Sequence, residues 1–105
     1  MAAAYSENRP AFLGESLDSI TVSIGESIVG ATFAATMFDP SGNAFTAPVV
    51  TILNAGSGTI SIALPVVSTT AIPGLWRYAC NWVNNGNLLV SYGVVEYTDP
   101  IGQHS

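Results

Sequence analysis

The residues that could do chemistry in this chain are few, and their spacing argues against catalysis. The single histidine is His104, next to the last residue. A catalytic or metal-bound imidazole needs a neighbour that fixes its tautomer, and a chain end rarely supplies one. Without a usable histidine, the Ser-His-Asp and Cys-His arrangements of nucleophilic catalysis fall away. The single cysteine, Cys80, excludes an internal disulfide and a multi-cysteine zinc site. Lying mid-strand between aromatics, it reads as a small buried hydrophobe. The alternative is an exposed thiol that bonds a neighbouring subunit.

Paired carboxylates could serve a glycosidase. The candidates are Glu26 and Asp39 in separate turns, and Glu96 and Asp99 near the end of the last strand. Nothing in the spacing gathers two of them into one cleft. Gly56-Ser57-Gly58 precedes a strand and not a helix, so it is no phosphate loop. The expectation is a protein with no catalytic residues, no metal and no cofactor.

The aromatics offer a second kind of chemistry. Trp76, Trp82 and Tyr92 could stack sugar rings in a row on a carbohydrate-binding module. The competing reading packs them in the core with polar atoms at the rim. Period two puts Trp76, Tyr78, Cys80 and Trp82 on one face of a strand and Leu75, Ala79 and Val83 on the other. Both faces are then partly apolar, so one of them suits a subunit interface.

The elements that carry these residues read as strands. Ile20–Ile24 alternates Ile, Thr, Val, Ser, Ile, the signature of a half-buried strand. Val29–Met37 repeats the pattern, and Asp39-Pro40-Ser41-Gly42-Asn43 then turns the chain. Ala44–Leu53 is a third strand interrupted at Pro48, which marks a sheet edge or a bulge. Thr59–Leu64 is a fourth, with Ile60, Ile62 and Leu64 inward. Pro65–Pro73 is a crossing segment in which Ser68 could cap one helical turn. Leu75–Val83 and Leu88–Tyr97 form a hairpin about Asn84-Asn85-Gly86-Asn87. Six or seven strands with turns every 8–12 residues predict an all-β, antiparallel sandwich or small barrel over residues 19–98.

Residues 1–18 read as an extended N-terminal arm, since Arg9-Pro10 resists helix. Arg9, Phe12 and Leu13 are its candidate contacts with a neighbouring subunit. Residues 99–105 read as a polar tail.

Composition narrows the class of partner. With 105 residues there is room for one domain. Charged residues make up 9% of the chain, against about 25% in soluble domains generally. There is no lysine, the two cations are Arg9 and Arg77, and net charge is −5. Nucleic-acid binding therefore has no basic footprint. No apolar run approaches the ~18 residues that span a membrane, and the start, MAAAYSENRP, lacks a basic region followed by an apolar one. A charge-poor surface suits lasting contact with other proteins.

The order of the pieces resembles a family of small phage virion domains. It is similar to the immunoglobulin-like N-terminal domain of phage baseplate upper proteins and to short proteins encoded among tail and fibre genes. The matching pieces are Asp39-Pro40-Ser41-Gly42, Gly58-Thr59-Ile60-Ser61-Ile62-Ala63-Leu64, Thr70-Ala71-Ile72-Pro73-Gly74, Tyr78 and Gly93-Val94-Val95. The resemblance extends over about residues 19–98. The resemblance implies an immunoglobulin-like sandwich in a non-enzymatic structural protein of the virion, assembled in the host cytoplasm. Its place would be the tail, the baseplate or a fibre attachment, with other virion proteins as partners. A capsid decoration (cement) protein is the alternative within that class, and the carbohydrate-binding module the alternative outside it.

Overall fold

A computed structural model describes residues 5–98. His104, Asp99 and the rest of the tail lie outside the described residues, as do residues 1–4 of the arm. Seven strands form: β1 (Tyr5–Phe12), β2 (Ile20–Ser23), β3 (Phe33–Phe38), β4 (Val49–Asn54), β5 (Thr59–Ala63), β6 (Gly74–Trp82) and β7 (Leu88–Thr98). No helix occurs among the described residues. A four-stranded sheet runs β1-β7-β6-β3, and a three-stranded sheet runs β2-β5-β4.

One core joins the two sheets. The smaller sheet contributes Ile20, Val22, Ile60 and Ile62, the alternate residues of β2 and β5. The larger contributes Ala35, Met37, Trp76, Tyr78, Cys80, Val90, Val95 and Tyr97. Two loop residues, Ile28 and Val67, are fully buried and close the ends. The core thus follows from the period-two pattern, each strand giving one face to the interior.

Three expectations need correction. The arm does not stand apart from the sandwich. Tyr5–Phe12 pairs with Leu88–Thr98 along its whole length, and the pairing is parallel. The larger sheet is therefore mixed, not purely antiparallel. A parallel partner needs no hairpin, so nothing close in sequence announces it. Leu13 then turns inward and is 2% exposed. The Leu13 N–H donates to Thr98 O, and the Gly14 N–H to Val67 O, which carries the chain from one sheet toward the other.

The strand expected from Val29 begins at Phe33. Gly30 has φ +78°, and Ala31 N–H donates to Ile28 O in a turn. Val29 keeps the alternating phase by composition but lies 76% exposed before the strand starts. Around Ser68 there is a turn and no helix: the Thr70 N–H donates to Ser68 Oγ and the Ala71 N–H to Ser68 O. Prolines at 65 and 73 leave that segment too short to propagate.

The expected edge strand is present. Among the described residues β4 pairs only with β5; it begins one residue after Pro48 and bulges at Leu53, where Ile52 faces Ile60 and Asn54 faces Thr59. A short, bulged edge discourages pairing with another chain.

Candidate functional site

Few residues are placed to react. Cys80 is fully buried, and burial pushes its thiol from 9.0 up to about 11. It is neither a nucleophile at neutral pH nor accessible for an intersubunit bond. Asp39 is occupied in its turn, its Oδ1 accepting from the Ser41 and Asn43 backbone N–H groups at 2.9 Å each. Glu26 and Asp39 lie in different loops, and Glu96 is on the outer face of β7. Among the described residues no three His, Cys, Asp or Glu side chains gather as a metal site would need.

The raised thiol has a consequence for stability. Tyr97 is also pushed up, first by burial and then by the Glu15 charge, with Arg9 acting in the opposite direction. Both groups favour their neutral forms in the fold. Their contribution is full below the unfolded-state values and is lost as pH rises through the folded ones. For Cys80 the loss runs from about pH 9 to about pH 11 and amounts to about 2–3 kcal/mol at ~1.4 kcal/mol per unit. Urea titrations across that window should show stability falling with pH. Cys80→Ala should flatten the fall, and an unchanged slope in that variant would contradict the assignment.

The aromatic row does not form. Trp76 is 3% exposed and belongs to the core. Its ring meets Phe45 edge-on at 5.0 Å and Tyr97 at 5.7 Å, and its Nε1–H donates to Ile72 O at 2.9 Å. Tyr92 points the other way, out of the larger sheet. Trp82 is half-buried at the end of β6 beside Phe33. A β-bulge explains part of this. Cys80 faces Ser91, but Asn81 faces Leu89, so Val90 is an extra residue and both Val90 and Ser91 turn inward. Leu89 and Tyr92 are left outside.

Of the three arm residues, Phe12 is exposed, on the outer face of β1. Arg9 is half-buried, and its Nη1 donates to the Asp18 carbonyl at 2.9 Å, which ties the arm to its own chain.

What the strands do assemble is a face. The cross-strand rows of the four-stranded sheet read outward as Phe38, Arg77, Val94 and Asn8; then Thr36, Ala79, Tyr92 and Ser6; then Leu75, Glu96 and Pro10. Phe38, Leu75, Tyr92 and Phe12 are all more than a third exposed. Leu75 is a ridge between two depressions. One, of about 640 Å³, is lined by Phe38, Pro40 and Arg77, and the other, of about 540 Å³, by Asn8, Pro10 and Glu96. Arg77 makes no ion pair or hydrogen bond through its side chain among the described residues. The outer face of the smaller sheet has Thr21, Ser61 and Thr51 side by side and Val49 exposed beside Ala63, and its strands carry no charged residue.

Leu75 and Ala79 are on the outer face as their spacing predicts. The contributions of Phe38 and Pro10 come from β3 and β1, whose neighbours in the sheet are far away in sequence. No protein-family model matches this chain, and no curated protein matches its sequence.

Proposed function

We propose that this chain is a non-enzymatic assembly domain that docks on other proteins through the outer face of its four-stranded sheet. The observation that carries this reading is the apolar group of Phe38, Leu75 and Tyr92 gathered about Arg77, a cation without an ion pair among the described residues. Apolar and aromatic side chains around an arginine, with other charges sparse, are the composition of interface centres. The partner would present apolar side chains around a carboxylate that Arg77 can hold in two hydrogen bonds.

The strand order supports an immunoglobulin-like arrangement as the finer description of the sandwich, with the first strand parallel to the last and the two sheets split as β1-β7-β6-β3 and β2-β5-β4. The order of motifs from Asp39 to Val95, in its resemblance to small phage virion domains, makes a phage particle the proposed assembly. Within it we favour the tail, the baseplate or a fibre attachment.

Mass spectrometry of purified particles tests this. The protein should be present in fixed stoichiometry, with cross-links from the outer-face strands β6 and β7 to a second virion protein. Its absence from clean particles would refute the virion reading. Cross-links confined to the β2-β5-β4 sheet would refute the choice of face.

A further inference from the structure

We infer that the loop end of the sandwich carries a separate site for a neutral pyranose sugar, built on Trp82, Glu26 and Asn85. This site shares no residue with the outer face and does not use Trp76 or Tyr92.

The depression there has a volume of about 400 Å³, at the lower end of the ~300–1,000 Å³ of small-molecule sites. One or two sugar rings fill such a space. The half-buried Trp82 lines it together with the exposed Glu26 and Asn85. The two loops that form it are fastened together by Asn84. The Asn84 side chain donates from Nδ2 to Gly30 O at 3.0 Å. Its Oδ1 accepts from the Thr32 N–H at 2.9 Å and from Trp82 Nε1–H at 3.0 Å. The indole is therefore held in one orientation by its own N–H, with Phe33 beside it at 5.8 Å.

The backbone that carries Glu26 is also fixed. Gly58 has φ +78°, and a Cβ there would run into the Glu26 carbonyl oxygen. The Ile24 N–H donates to Gly58 O and the Ile28 N–H to Ala55 O on either side of it. The indole and the loop backbones are thus fixed before a ligand arrives, which lowers the entropy lost on binding.

The chemistry selects the ligand. An indole face takes the apolar C–H face of a pyranose, a flat ring with polar edges. The Glu26 carboxylate accepts hydrogen bonds from vicinal hydroxyls, and the Asn85 amide both donates and accepts. Among the described residues neither side chain has a hydrogen-bond partner of its own. The Glu26 charge and a net charge of −5 disfavour acidic sugars and phosphates.

Saturation-transfer NMR decides the matter, using the methyl pyranosides of glucose and galactose, N-acetylglucosamine, and N-acetylneuraminic acid as the acidic comparator. Saturation should pass to the ring protons of at least one neutral sugar and not to the acidic one. The apparent affinity should fall tenfold or more in Glu26→Gln, whose exposed position spares the fold, and in Trp82→Ala. Arg77→Glu, on the outer face, should leave it unchanged. No transfer to any neutral sugar, or transfer of equal strength in Glu26→Gln, would overturn the site.

Discussion

Replacing Trp76 by alanine should cost about 3–5 kcal/mol of folding stability, the range for emptying a large aromatic from a packed core. The ring is 3% exposed and sits between Phe45 and Tyr97 in two edge-on contacts. Each such contact adds about 0.5–1.5 kcal/mol beyond the area buried. The substitution also removes the donor that satisfies the Ile72 carbonyl. Small domains are stable by only about 5–15 kcal/mol, so the variant should show a marked drop in urea midpoint and a partly unfolded population at 37 °C. Tyr92→Ala, on the solvent side of β7, should stay within about 1 kcal/mol of the parent. Stability of Trp76→Ala close to that of Tyr92→Ala would mean that the indole is a surface ligand-stacking group after all.

The contrast between those two aromatics shows what a sequence pattern reaches. Alternation put Ile20 with Val22, Ile60 with Ile62, and Trp76 with Tyr78 and Cys80 each on one face, and those faces are the buried ones. It put Leu75 and Ala79 on the opposite face. It could not place Tyr92 relative to Trp76, since that depends on register across the hairpin and on the bulge at Val90. Nothing in Leu88-Leu89-Val90-Ser91 distinguishes a bulged strand from a regular one.

The N-terminal strand was illegible for a different reason. Tyr5–Phe12 does not alternate and contains Pro10, so it has no strand signature of its own. It is held by β7, whose residues lie more than eighty positions away. Arg9, Phe12 and Leu13 looked equivalent as contacts in sequence, yet parallel pairing sends Leu13 into the core and Phe12 to the surface. The proposed docking face was half legible. β6 announced its outward apolar residues, but the flanking Phe38 and Pro10 appear only once β3 and β1 take their places. The Trp82 site was legible only as a tryptophan. Its partners come from loops about fifty residues apart, joined by Asn84, and a turn asparagine carries no signal of such a latch.

Arg77→Glu should weaken docking by about 2–5 kcal/mol, the range for removing one partner of a buried hydrogen-bonded charge pair. In binding terms that is roughly thirty-fold to several thousand-fold. The arginine lies in the middle of its row, between Phe38 on β3 and Val94 on β7, with Leu75 and Ala79 along its own strand. A partner that covers those apolar groups also takes the guanidinium out of water, so its contact has to be a carboxylate or a set of carbonyls. Reversing the charge puts a carboxylate at position 77 diagonal to Glu96 and close to Asp39, and repulsion replaces the pair. Arg77→Lys should recover part of the loss, because an ammonium keeps the charge but not the planar fork. The folded state itself has little at stake, since the Arg77 side chain makes no ion pair or hydrogen bond among the described residues. Its folding stability should stay within about 1 kcal/mol of the parent, because water screens the like charges of Glu96 and Asp39. Competition between tagged parent and variant for incorporation into particles separates these terms, with Thr21→Glu on the opposite sheet as the control. Equal incorporation of Arg77→Glu and parent would show that the outer face of the four-stranded sheet is not where this domain docks. Selective exclusion of that variant, with Thr21→Glu admitted, would place the contact at Arg77.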